Sequence, residues 1–115
     1  MTIGGARVVA VVTRDSTEQL GLRPGATAFA LIKASSVMLA TDLGDVRLSA
    51  RNQLAGTITA VTPGAVNTEV VLDIGGGATV AAVVTQTSAQ ALGLKVGGSA
   101  TALFKASSVI LGALA

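Results

Sequence analysis

Three short segments hold the side chains of this sequence best suited to gripping an anion. Ser49-Ala50-Arg51-Asn52 carries a guanidinium, a planar group with five donors that matches the geometry of oxyanions. Thr85-Gln86-Thr87-Ser88 places hydroxyls three residues apart ahead of an apolar run, and Thr13-Arg14-Asp15-Ser16 mirrors it. That spacing marks the start of a helix, where free N–H groups and the helix dipole favour negative charge. Lys105-Ala106-Ser107-Ser108, mirrored by Lys33-Ala34-Ser35-Ser36, joins an ammonium to small residues over which backbone N–H groups can approach a ligand. Each segment also has a plainer reading. The hydroxyls can simply cap a helix, the lysines can guard strand ends, and Arg51 can pair with Glu69 or Asp73 on the surface. Taken together, the segments form the donor set that a tetrahedral dianion requires, and no acid follows Asp73 in the chain.

Other chemistries find little support. The chain has no His, no Cys and no Tyr, and no carboxylate pair is placed for acid–base work, so an enzyme is not expected. A zinc site of the usual kind and any disulfide are excluded. Gly4-Gly5 and Gly75-Gly76-Gly77 lack the spacing of a phosphate loop and read as hairpin turns. With two Phe and no Trp, there is no stacking platform for single-stranded nucleic acid, and a net charge of +2 is no basic arm. The longest uncharged stretch, Ile74 to Leu94, is broken by glycines and polar residues and is not a bilayer span. The opening residues lack the regions of a signal peptide, so the sequence reads as soluble and cytoplasmic.

The elements that must position these groups follow from an internal repeat. Residues Gly4 to Leu39 recur at Gly76 to Leu111, an offset of 72, with more than half of the positions identical. The intervening stretch predicts a strand over Asn52 to Val61, a turn at Pro63-Gly64 and a second strand over Ala65 to Ile74, where Val66, Val70, Leu72 and Ile74 mostly alternate with polar residues. Strands at Thr79 to Val84, Ser99 to Lys105 and Val109 to Leu114 follow, with a short helix at Thr87 to Leu92. Short strands with one helix after the third give an all-β, OB-like five-stranded barrel, one short helix per repeat. Residues 1–43 then form an incomplete first copy lacking its opening hairpin, and 44–115 a complete second one. The missing hairpin belongs either to upstream residues or to another chain. Small units without disulfides gain buried area by oligomerising, so self-association is expected.

The segments SARNQLAGTITAV, PGAVNTEV, AAVVTQTSAQALGL and ALFKASSVIL, in that order, resemble the Mop or molbindin domain. The resemblance covers Arg47 to Leu111, and Ile3 to Leu39 is similar to the later part of the same domain. It implies molybdate or tungstate bound between subunits of a homotrimer or hexamer-like assembly. It points to Ser49, Ala50, Arg51, Thr85, Ser88, Lys105, Ala106 and Ser107, and in the first copy to Thr13, Ser16, Lys33, Ala34 and Ser35. The implied role is molybdenum storage, buffering or sensing. The alternative is an oligomerising or sensing domain of a molybdate-responsive transcription regulator.

Overall fold

The computed structural model describes residues 2–3, 6–7, 14–22, 24–25, 28–43 and 48–113. The second repeat opens with the long strand β5 (Asn52–Pro63), which turns into β6 (Asn67–Gly75) and then β7 (Ala78–Thr85). Helix α2 (Gln86–Leu92), strand β8 (Ser99–Phe104), a 3-10 turn over Ala106–Ser108 and β9 (Val109–Ala113) complete it. The first repeat supplies β1 (Thr2–Ile3), β2 (Ala6–Arg7), α1 (Arg14–Leu20), β3 (Ala28–Ile32), a 3-10 turn over Ala34–Ser36 and β4 (Met38–Ala40). Both helices and both 3-10 turns obey the 72-residue offset. The Gly4-Gly5 turn lies outside the described residues.

A curled antiparallel sheet of five strands, ordered β4-β8-β5-β6-β7, carries the core. Inward residues alternate along each strand: Leu54 and Ile58 on β5, Val70 and Leu72 on β6, Ala100, Ala102 and Phe104 on β8. Val37, Ala82 and Val109 close the cluster. Register shifts at Ile58/Ala60 and at Asp73/Gly75 bend the long hairpin, as a closed or half-closed barrel demands.

Gly56 shows how tightly that bend is built. A Cβ there would sit 2.5 Å from the Asp73 carbonyl oxygen and 3.2 Å from Ile74 Cγ2. Neither the backbone nor its paired strand can withdraw without breaking the β5–β6 ladder. Gly56→Ala is therefore expected to destabilise the fold by about 1–3 kcal/mol or more, measured by urea denaturation.

Two sequence expectations need correction. Val66 is not part of β6: it is 72% exposed, because Gly64 N–H donates to Asn67 O at 2.7 Å and carries the turn on to residue 67. More consequentially, the five strands of the second repeat do not close on one another. β9 leaves that sheet and pairs with β3, while β4 of the first repeat takes the place beside β8. The two pairings have the same register. Leu31 opposite Ile110 corresponds, 72 residues on and 72 back, to Leu103 opposite Met38. The repeats have exchanged their last strands reciprocally.

Candidate oxyanion site

The pairing of β5 with β8 creates the site. Asn52 lies opposite Phe104, so the residue preceding one strand is brought alongside the residue following the other: Arg51 meets Lys105. Ser49, Ala50 and Arg51 line one side of a cleft of about 360 Å3, and Lys105, Ala106 and Ser107 line the other. Met38 of the exchanged strand β4 forms an apolar wall. Gln53 steadies the approach to β5 by donating from Nε2 to the Ala50 carbonyl at 3.1 Å.

Local folding explains why these residues face the cleft. Lys105 has extended backbone, φ −72° and ψ 143°, and starts the tight turn in which Ser108 N–H donates to Lys105 O at 2.9 Å. Val109 N–H donates to Ala106 O. The turn itself thus uses the amides of residues 108 and 109 and leaves those of Ala106 and Ser107 free to serve a ligand. Buried Ala106 pins the turn to the core while Lys105 and Ser107 stay exposed. Below the cleft, Asn52 is fully buried, and no buried side-chain polar atom among the described residues lacks a partner. Sequence reading marked Asn52 as a strand entrance and missed it as a core polar group.

The electrostatics are one-sided. Among the described residues no acidic side chain lines the cleft. The surface pairing of Arg51 with Glu69 or Asp73 does not occur among the described residues; the Asp73 carboxylate instead accepts from Gly75 N–H at 2.8 Å. An ammonium, a guanidinium, two hydroxyls and turn amides therefore converge with no acidic partner among the described residues. Such a cleft suits a compact polyvalent oxyanion and disfavours a cation. Among the described residues no cluster of three or more His, Cys, Asp or Glu offers a metal-ion site.

The remaining predicted residues lie elsewhere. Thr85 and Ser88 do not line this cleft; they cap α2. Thr85 Oγ1 accepts from Ser88 N–H at 3.0 Å and donates to Ser88 Oγ at 2.8 Å. Removing that cap in Thr85→Ala should lower stability by about 0.5–2 kcal/mol in thermal unfolding with no anion present, and Thr85→Ser should retain most of it. Lys33 and Ser35 are exposed and Ala34 is half-buried, in a turn built like that of residues 105–108, with Ser36 N–H donating to Lys33 O at 2.8 Å. The sequence holds no second Ser-Ala-Arg to face them. Thr13 lies outside the described residues, and Ser16 is described only as part of α1. Met38 is a lining residue that sequence reading missed, because only the strand exchange brings it there.

The model of the TOBE domain matches residues 1–39 and again 48–111, the second match taking in both sides of the cleft. The chain belongs to the TOBE domain family. This TOBE chain is 54% identical over 107 residues to the molybdenum-pterin-binding protein MopA of Rhodobacter capsulatus, covering 93% of the chain and 40% of MopA. It is 47% identical over 112 residues to the molybdenum transport protein ModE of Herbaspirillum seropedicae, covering 96% of the chain and 42% of ModE. It thus spans about two fifths of the length of these curated relatives. The crystal structure of the cytoplasmic molybdate-binding protein ModG with molybdate bound superposes with a TM-score of 0.93 at 47% identity, covering 96% of the TOBE chain and 79% of ModG. The OB-like molbindin architecture expected from the sequence is thereby established. No helix among the described residues is long and apolar enough to cross a membrane.

Proposed function

We propose that this TOBE chain is a molybdate- or tungstate-binding protein and not an enzyme, acting in the cytoplasm in molybdenum storage, buffering or sensing. The observation that carries the reading is the cleft: Ser49, Ala50 and Arg51 stand across from Lys105, Ala106 and Ser107, with no acid beside them among the described residues. Its similarity to ModG, a protein whose structure holds molybdate, supports the same ligand. Each charge-assisted hydrogen bond contributes about 1.5–3 kcal/mol net, so a handful reach the roughly 8 kcal/mol of a micromolar complex.

Ser49, Arg51, Lys105 and Ser107 are all exposed in the single chain, so an anion among them would remain half in water. Covering it completes the site. In this reading the chain self-associates, as a homotrimer or hexamer-like assembly, and Thr85 and Ser88 of a neighbouring copy close the cleft. In the first repeat Lys33, Ala34 and Ser35, with Thr13 and Ser16, form the corresponding part-site.

Isothermal titration with molybdate, tungstate, sulfate and phosphate tests the function. Strong heats are expected for the two metal oxyanions and weak ones for sulfate. Silence with molybdate, or sulfate bound equally well, overturns the reading. A second reading, a sensing and oligomerising domain of a transcription regulator, is favoured by the similarity to ModE. Solution mass with and without molybdate separates the two. Ligand-driven assembly marks a sensor, and a constant mass marks a store.

A further inference from the structure

The two repeats end on nearly the same segment, and the one place where those segments part lies in the cleft. Lys33–Leu39 and Lys105–Leu111 differ only in having Met38 against Ile110. Strand β4 holds the end position of the five-stranded sheet, with Met38 opposite Leu103 and Leu103 opposite Gln53. Leu103 is 7% exposed, whereas Met38 is 50% exposed. Met38 lines the same cleft as Arg51 and Lys105. A thioether is apolar until a mild oxidant converts it, and isoleucine has no such chemistry. The chain has no Cys, His, Trp or Tyr to compete for an oxidant, and its other methionine is Met1, which lies outside the described residues. Methionine sulfur is thus the most readily oxidised group that the sequence offers.

We propose that Met38 is a redox-sensitive modification site whose sulfoxide closes the anion cleft. The oxidant is hydrogen peroxide. Met38 Sδ attacks one peroxide oxygen with a lone pair, and the S–O bond forms as the O–O bond breaks. The second oxygen takes the proton of the transferred one and leaves as water. The sulfur loses two electrons and the peroxide gains them. The product presents a partly negative oxygen, a strong acceptor, where the thioether was only a weak one. Around it stand donors without acceptors of their own. Arg51 and Lys105 are exposed and in no ion pair among the described residues, and the turn leaves the amides of Ala106 and Ser107 free. The sulfoxide oxygen accepts from these groups and so competes for the donors that an oxyanion needs. Oxidation acts on the unliganded cleft, since a bound anion and a covering copy both shield the sulfur. The modification stands on the exposure and chemistry of Met38, and its effect on binding rests on the proposed oxyanion function.

The test treats the intact chain with hydrogen peroxide, removes the oxidant by desalting, and locates the added oxygen by peptide mass. One oxygen at Met38 is expected, with molybdate affinity in titration calorimetry lowered roughly tenfold or more, the loss of one charge-assisted hydrogen bond. Methionine sulfoxide reductases for both epimers should restore it. Met38→Ile should keep whatever affinity it has through the same treatment, which separates Met38 from Met1. In NMR spectra of isotope-labelled chain, the Arg51 Nε–H signal should move on oxidation of the parent and stay in place in Met38→Ile. Full oxidation at Met38 with unchanged affinity overturns the switch, as does an equal loss in peroxide-treated Met38→Ile. No oxygen at Met38, under conditions that oxidise free methionine, overturns the modification site. No molybdate uptake by the untreated chain removes the oxyanion function alone. The Arg51 signal then decides the rest: if it moves, the sulfoxide contact stands, and if it does not, the contact falls too.

Discussion

Alanine at both Arg51 and Lys105 is expected to weaken molybdate binding by at least about a hundredfold while the melting temperature stays within a few degrees of the parent. The affinity loss follows from two charge-assisted hydrogen bonds at about 1.5–3 kcal/mol each, roughly 10- to 150-fold apiece. The stability of the fold follows from position. Both side chains are exposed, neither is in an ion pair among the described residues, and such substitutions rarely cost more than about 0.5 kcal/mol. Arg51→Lys should recover only part of the affinity, because an ammonium keeps the charge and loses the two-pronged donor geometry. Titration calorimetry and thermal unfolding of the same samples check both halves. Unchanged affinity in the double variant would mean that the anion is held elsewhere.

The donor types at this site were legible in the sequence, but their meeting was not. Arg51 and Lys105 are far apart in the chain, and what joins them is the antiparallel register of β5 on β8. Alternation along a strand tells which face is buried, never which strand is the neighbour. Only the resemblance to the Mop domain put SARN and KAS in one site beforehand. The hydroxyls at Thr85 and Ser88 illustrate the opposite case. Their spacing announced a cap, and the cap is what the single chain displays.

Element boundaries were read more easily than partners. The helix and the glycine hairpin follow from local chemistry: Thr85 caps the helix start, and Gly93 at φ 64° ends α2 in the left-handed region. The strand exchange was invisible for a definite reason. The segments Lys33–Leu39 and Lys105–Leu111 differ at one position, Met38 against Ile110, so either last strand satisfies either sheet. Periodicity and propensity are identical for the two connections, and nothing local chooses between them. The choice comes from the path of the whole chain.

The exchange also predicts an asymmetry in what the two repeats contribute to stability. Among the described residues Phe104 is the largest fully buried side chain, walled by the strands of the five-stranded sheet and packed in the same cluster as Leu54, Ile58 and Leu72. Ile32, its counterpart in the first repeat, is only partly buried. Phe104→Ala removes a ring from a close-packed core and leaves a cavity that the β5–β8 ladder prevents from collapsing, a loss of about 3–5 kcal/mol. Ile32→Ala truncates a half-covered side chain and should cost about 1 kcal/mol. Against the roughly 5–15 kcal/mol that holds a domain of this size together, the first change brings the chain close to unfolding, whereas the second is tolerated. Urea titrations of the two variants measure the difference, and equal losses would show that β3 is as enclosed as β8. Because Phe104 holds Lys105 at the cleft and Asn52 stands opposite, the Phe104 variant should also bind anion more weakly while still folded. That coupling ties the core of one repeat to the charge of the site, and Ile32, only partly buried, cannot do the same for Lys33.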